Sequence, residues 1–278
     1  MRDNELENDL QKRLDEGHNV WVIGDVHGFQ ETLLALLGSL ELQEEDRIVL
    51  LGDLIDRGPD SFGVMDLAIS DPRVHIVLGN HEAMMRDDFT PHEYELPEND
   101  ARHWYLSGGL ATIASYARSL GGVEEESEKE NLIQLFTRHI EWLREQPTHI
   151  VLDSYRLVHG GYDPRQSMDT QIEAVMLWIR DPFHQHHKPI DPQRTVLFGH
   201  TPTMMLPNYS EEPYGQVWFA PHTVKHGLAS AIGLDTCVFH IDDEPALLSA
   251  FNLQDHRIIQ QERVEPWGIS ERRRAQVF

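Results

Sequence analysis

Val20-Trp21-Val22-Ile23-Gly24-Asp25-Val26-His27-Gly28 is the stretch that decides the fold. Four apolar residues without alternation, rich in β-branched types, read as a strand buried on both faces. A glycine then stops the strand and frees the chain to turn sharply, and an aspartate and a histidine follow at once. The same grammar returns along the chain. Arg47 to Gly52 (RIVLLG) runs into Asp53-Leu54-Ile55-Asp56-Arg57-Gly58. Val74 to Gly79 (VHIVLG) runs into Asn80-His81-Glu82, and Thr195 to Gly199 (TVLFG) into His200-Thr201-Pro202. Helix-period patterns at Glu31 to Leu42 and Ser61 to Ser70 separate the first three runs. Strand and helix in alternation predict a βαβαβ unit with right-handed crossovers.

Farther out, His103 to Leu120 and Lys129 to Arg144 carry helical periodicity around an acidic loop at Gly121 to Glu130. His149 to Asp153 and Tyr155 to His159 read as two closely spaced strands. Val217 to Arg263 alternates as antiparallel strands do, through WFA, LASAIGL, CVFHI, ALLSAF and HRIIQQ. The tail Glu265 to Phe278 is polar and expected to be loose. With no repeat and no linker, residues 1–278 read as one domain with a helical insertion around 82–145.

The 278 residues, 40% of them hydrophobic, suffice for a sizeable core. A net charge of −24 opposes binding to nucleic acid, which depends on lysine and arginine at phosphates. Four lysines stand against nineteen arginines; an acidic, lysine-poor surface suits a high-salt habitat, and codon bias explains it equally well. No run approaches the roughly 20 apolar residues of a membrane helix. Met1 to Lys12 is charged and unlike a secretory signal. Cys237 is the only cysteine, so no disulfide can form within the chain and a cytoplasmic setting is expected.

In open α/β sheets ligands bind beyond the carboxyl ends of strands. Five apolar runs would bring Asp25, His27, Asp53, Asn80, His159 (in His159-Gly160-Gly161) and His200 to one edge. Carboxylate, amide and imidazole together suit manganese, iron or zinc, and no cysteine joins the set, which argues against a structural zinc site. A carboxylate can bridge two ions that clamp phosphate oxygens and lower the pKa of a shared water, giving hydroxide in line with phosphorus. Each motif alone has a plainer reading, since Asp-Gly and Gly-His are common turns. His75, His139 and His149 are expected to be ordinary structural histidines. Their conjunction and order are what carry weight.

Those motifs resemble the calcineurin-like metallophosphoesterases, whose pattern is GD-x-HG, GD-x-x-DRG, GNHE, HGG and GH. The resemblance runs from about Val20 to Thr236. Asp56-Arg57, Glu82 and Pro202 narrow it to the phosphoprotein phosphatases, especially the short bacterial and phage-type serine/threonine protein phosphatases. His103 to Gly109 (HWYLSGG) resembles a stretch of the phage-type enzymes. The family implies a β-sandwich of two mixed sheets flanked by helices in four layers, and two divalent ions, with manganese as first choice. It implies Asp25 and His27 on one ion, Asp53 bridging, and Asn80, His159 and His200 on the other. His81 would be the general acid, oriented by Asp56, with Asn80 and His81 pointing apart at an extended strand end. Arg57 and Arg180 would bind the phosphoryl oxygens; a surface ion pair with Asp181 is the plainer reading of Arg180.

The family pattern Asp-Thr-Gly here reads Asp235-Thr236-Cys237, and Cys237 is expected to be a small core residue. The loop Arg86 to Asn99 has no counterpart in that pattern and reads as a lid or a solvated insertion. His222 and His226 could add a ligand or touch substrate; a structural role is the plainer reading. His184, His186 and His187 form an exposed cluster that could bind metal adventitiously. The resemblance implies hydrolysis of phosphate monoesters on phosphorylated protein or a small phosphoester. A dinucleoside polyphosphate hydrolase is the alternative, although those enzymes tend to lack the aspartate of the DRG motif, here Asp56. A non-catalytic metal scaffold would not require His81, Asp56 and Arg57. No residue pattern sets the oligomeric state.

Overall fold

A computed structural model describes residues 2–89, 103–123, 125–210, 214–240 and 245–267. It opens with α1 (Asn4–Asp15), a helix that the charged composition of this segment conceals. Asp3 caps it, accepting from the Glu5 and Leu6 amides at 3.0 Å. Leu6, Leu10 and Leu14, spaced at one helical turn, pack its apolar face onto the sandwich core.

Then come β1 (Val20–Ile23), α2 (Gln30–Ser39), β2 (Arg47–Leu50), α3 (Ser61–Ser70), β3 (Val74–Ile76) and α4 (Asn80–Asp88). The expected 103–120 helix is broken. Residues Tyr105–Gly109 form a π turn with Gly108 at φ 118°, and α5 (Leu110–Ser119) starts after it. The rest is α6 (Glu126–Glu145), β4 (His149–Val151), β5 (Tyr155–Val158), α7 (Glu173–Trp178), α8 (Asp181–His184), β6 (Thr195–Phe198), β7 (Trp218–Phe219), β8 (Ala231–Gly233), β9 (Leu247–Asn252) and β10 (Ile258–Glu262).

The strands form two five-stranded sheets in the orders β10-β9-β1-β2-β3 and β4-β5-β6-β8-β7. Both are mixed. β1, β2 and β3 run parallel, with β9 antiparallel to β1. β5, β6 and β8 run parallel, with β4 and β7 antiparallel at the edges. Side chains alternate across each strand. Val20 and Val22 face the core between the sheets, where they meet Ile150, Leu157, Leu197 and Ile232. Trp21 and Ile23 face outward onto helices, with Leu33, Met65 and Tyr116. Val196 and Phe198 face the opposite way from Leu197, onto Phe183 and Met176. Helix, sheet, sheet, helix is therefore the four-layer order. Among the described residues no helix is long and apolar enough to cross a membrane.

Three expectations change. The late strand run is divided between the sheets: β7 and β8 join the second, β9 and β10 the first. The CVFHI stretch is not a strand over its described residues, because Cys237 takes a left-handed φ of 62° and turns the chain. The tail is docked at its start. Glu265 accepts from the Glu31 amide at 2.7 Å at the start of α2, an end that favours a carboxylate. Trp267 packs edge-on to Phe29 at 5.3 Å; residues 268–278 lie outside the described residues. Of the Arg86 to Asn99 loop, Arg86 to Asp88 belong to α4, and 90–99 lie outside the described residues.

Candidate active site

The motif loops leave the strand ends in strained backbone. Nine non-glycine residues among those described have positive φ, and five are motif residues: His27 (48°), Asp53 (50°), Asp56 (72°), Arg57 (67°) and His200 (65°). Such conformations persist where surrounding structure enforces them, and they cluster at functional sites. Two glycines permit close approach. A Cβ at Gly199 would run into the Asp25 carboxylate, and one at Gly79 into Asp53 and Glu82.

Asp53 lies at the centre, buried, with its two oxygens facing opposite groups. Oδ2 is 3.7 Å from His27 Nε2 and 3.8 Å from His81 Nε2, while Oδ1 is 3.3 Å from His159 Nε2. Two side-chain groups able to hold a metal share it: His27, Asp53 and His81, and Asp53, His159 and His200. The donors fit. His27 Nδ1 meets the Ile55 carbonyl at 2.9 Å and His159 Nδ1 the Leu51 carbonyl at 2.7 Å. Those bonds place the proton on Nδ1 and turn the Nε2 lone pairs inward. His200 Nε2 is buried with no hydrogen-bond partner among the described residues, an orphan a metal would satisfy. Asn80 Oδ1 is 2.8 Å from His159 Nε2. Asp25 differs: both its oxygens accept from the His200 amide at 3.0 Å, and it is in neither group.

Beside this lies a second constellation. His81 Nδ1 donates to Asp56 Oδ2 at 2.6 Å. Asp56 also accepts from Trp104 Nε1 at 3.0 Å and from Thr112 Oγ1 at 2.6 Å. Arg57 donates to His81 Nε2 at 2.9 Å, contacts His27 Nε2, and lies 4.3 Å above the Phe239 ring. Asn80 and His81 are not at an extended strand end. They open α4, so their side chains diverge by about the 100° of one helical step.

Arg180 caps α8 and donates to the His200 carbonyl at 3.2 Å and Thr201 Oγ1 at 2.7 Å. The residues that sequence reasoning missed are those that brace the loops. Buried Glu82 accepts from the Asp53, Leu54 and Gly79 amides at 2.8, 2.7 and 3.0 Å. Glu82 and Trp104 stood in motifs already visible, GNHE and HWYLSGG; no sequence signal marked Thr112 or Phe239. His139 and His149 bond Tyr116 and Tyr162, as structural histidines do. The 184–187 cluster is split, with His184 buried and His186 and His187 exposed. Neither these nor His222 and His226 belong to the two ligand groups.

A family model for calcineurin-like phosphoesterases matches residues 18–239. The chain belongs to that family. Serine/threonine-protein phosphatase 2 of Salmonella typhimurium is 29% identical over 213 residues, 72% of this chain and 85% of that one. The symmetrical bis(5'-nucleosyl)-tetraphosphatase of Yersinia pestis is 30% identical over 173 residues, 57% of this chain and 49% of that one. A metallophosphoesterase structure from Sphaerobacter thermophilus superposes with a TM-score of 0.53, covering 93% of this chain and 92% of that one at 17% identity.

Charge in this phosphoesterase centre is tuned by burial. Burial opposes ionisation of Asp53, but His159, His81, His27 and His200 outweigh it and hold the carboxyl below the usual range. Burial, then Asp235 and Asp53, pushes Asp25 up. Burial raises Asp235 to about 6, and burial with Asp53 raises Glu82 to about 7. Burial lowers His27 and His159, and takes His200 down to about 2. Neutral imidazoles around an ionised carboxylate are the protonation states that metal ligation requires.

Proposed function

We propose that this metallophosphoesterase is a serine/threonine protein phosphatase. The observation that carries the reading is the buried Asp56–His81–Arg57 array beside the shared carboxylate of Asp53. Two divalent ions, when bound, supply Lewis acidity at the phosphoryl oxygens and the nucleophilic water. Asp53, shared by the two ligand groups, would hold them together with Asp25, His27, Asn80, His159 and His200. Manganese suits this set, as do iron and zinc. Arg57 and Arg180 hold the phosphoryl oxygens, where a planar fork of donors matches better than a lysine. With its Nδ1 proton committed to Asp56, His81 receives and delivers a second proton at Nε2, protonating the leaving oxygen. A single buried cysteine suits the cytoplasm.

The test is a parallel assay of metal-reconstituted enzyme on phosphoserine and phosphothreonine peptides, diadenosine tetraphosphate and p-nitrophenyl phosphate. Phosphopeptides should give a higher kcat/KM than the dinucleotide, and chelation should abolish turnover reversibly. The opposite ranking would reject the protein substrate, and turnover indifferent to chelation would reject the metal mechanism.

A further inference from the structure

On the outer face of the second sheet, away from the ligand groups at the strand ends, α8 and the loop after it roof a cavity of about 220 Å³. Its floor is Val196, Trp218 and Ala231 of β6, β7 and β8, and Phe183 forms one wall. His184 forms another, stacked on Phe198 with centroids 5.3 Å apart. Four of the histidines that the sequence sets apart, His184, His186, His187 and His222, line this one space together with Lys188.

Two features mark it as built for a ligand. First, the lining joins Lys188 and four imidazoles to an apolar floor of Val196, Trp218 and Ala231. Second, among the described residues no carboxylate lines the cavity, although 47 of the 278 residues are aspartate or glutamate. One of the chain's four lysines stands there instead. A concave, largely apolar space with a few convergent polar groups is the usual form of a small-molecule site. The aromatic walls suit a flat ring, and the lysine with the imidazoles suits one negative charge.

We propose that this cavity is a second binding site, distinct from the phosphoesterase centre, for a small planar aromatic molecule bearing a single anionic group. Ring stacking on the Phe183 and Trp218 side and charge pairing with Lys188 would share the recognition.

Isothermal titration of the full chain with naphthalene-2-sulfonate tests this. One molecule should bind per chain, with a Kd of about millimolar or tighter for a ligand of this size. Lys188→Glu, an exposed change, should weaken binding about tenfold. Ser230→Trp should fill the cavity and remove binding, with an unchanged melting curve showing that the fold survives. Saturating inorganic phosphate, which competes at the metal centre, should leave the titration unchanged, and neutral 2-naphthylmethanol should bind more weakly. No binding to the wild type, wild-type affinity in the Lys188 variant, displacement by phosphate, or equal affinity for the neutral analogue would each overturn the assignment. Should Ser230→Trp fail to fold, the Lys188 variant and the phosphate competition still decide.

Discussion

The two halves of the active site are held in different ways. The half on the first sheet, from Asp25 to Glu82, is braced largely by groups of its own. Glu82 gathers the amides of the Asp53 loop, the Val26 and His27 amides donate to the Asp53 carbonyl at 3.0 and 2.8 Å, and Asp53 accepts from the His81 amide at 3.0 Å. The half on the second sheet borrows its anchors. His159 is oriented by the carbonyl of Leu51, beyond the end of β2, and the His200 amide is held by Asp25. The centre is thus a joint between two sheets. A side chain on one sheet is aimed by backbone or carboxylate on the other, so its geometry depends on how the sandwich packs.

The most severe break should come at the shared carboxylate. Asp53→Asn should empty both metal positions in elemental analysis and lower kcat/KM by more than the roughly 10–100-fold typical of losing an outer-shell partner. Retention of both ions would mean that the halves bind metal independently. His81→Asn should lower kcat by about 10²–10⁴-fold on esters with poor leaving groups and by much less on p-nitrophenyl phosphate. Metal content should stay at the wild-type level; because His81 also stands within the first ligand group, loss of an ion would make it a ligand and end its role as acid.

Next come the arginines, one in each half. Arg57→Ala should cost about 10²-fold in kcat/KM, as for one transition-state donor. Arg180→Ala should cost less, about tenfold, because Arg180 is partly spent on the His200 carbonyl and Thr201. The reverse order, read from the same assay, would make the second sheet the main phosphate wall.

The smallest effect concerns stability and both sides of the sandwich. Burial lowers His139, His149 and His184 from the ordinary 6.5 to about 4. Folding therefore favours their neutral forms. Their contribution is complete above pH 6.5 and is lost as pH falls through about 4, by on the order of 1–3 kcal/mol for each group. Urea midpoints measured from pH 7.5 to 4.5 should fall, and His184→Phe should flatten that slope by one share, since no partner of His184 Nε2 is left behind.

How legible the site was follows from the same division. Motifs that each end a strand could be read because a buried parallel strand is a continuous apolar run closed by glycine, and every motif residue lies within a few positions of that glycine. Glu82 and Trp104 stood in recognised motifs, yet their work was hidden, since bonds from Glu82 to the Asp53 amide and from Trp104 to Asp56 cross 29 and 48 residues. The helix at 103–120 was misread where it counts. Periodicity cannot register the turn at Gly108, whose carbonyl accepts from the Arg57 amide at 3.5 Å. The Asn80–His81 pair was misread for a related reason: a strand and a helix start look alike over two residues.

The sequence by itself determined the βαβαβ start, the layer pattern of apolar residues and the identity of the metal-type donors, because periodicity and local chain chemistry are properties of neighbours. Tertiary structure alone decided how the late strands divide between the sheets and which nitrogen each histidine presents. It also decided that Asp25 holds the His200 amide across 175 residues, and that His222 joins the histidines of 184–187 around one cavity. Those facts depend on burial and on contacts between distant segments, which arise only when the two sheets pack face to face.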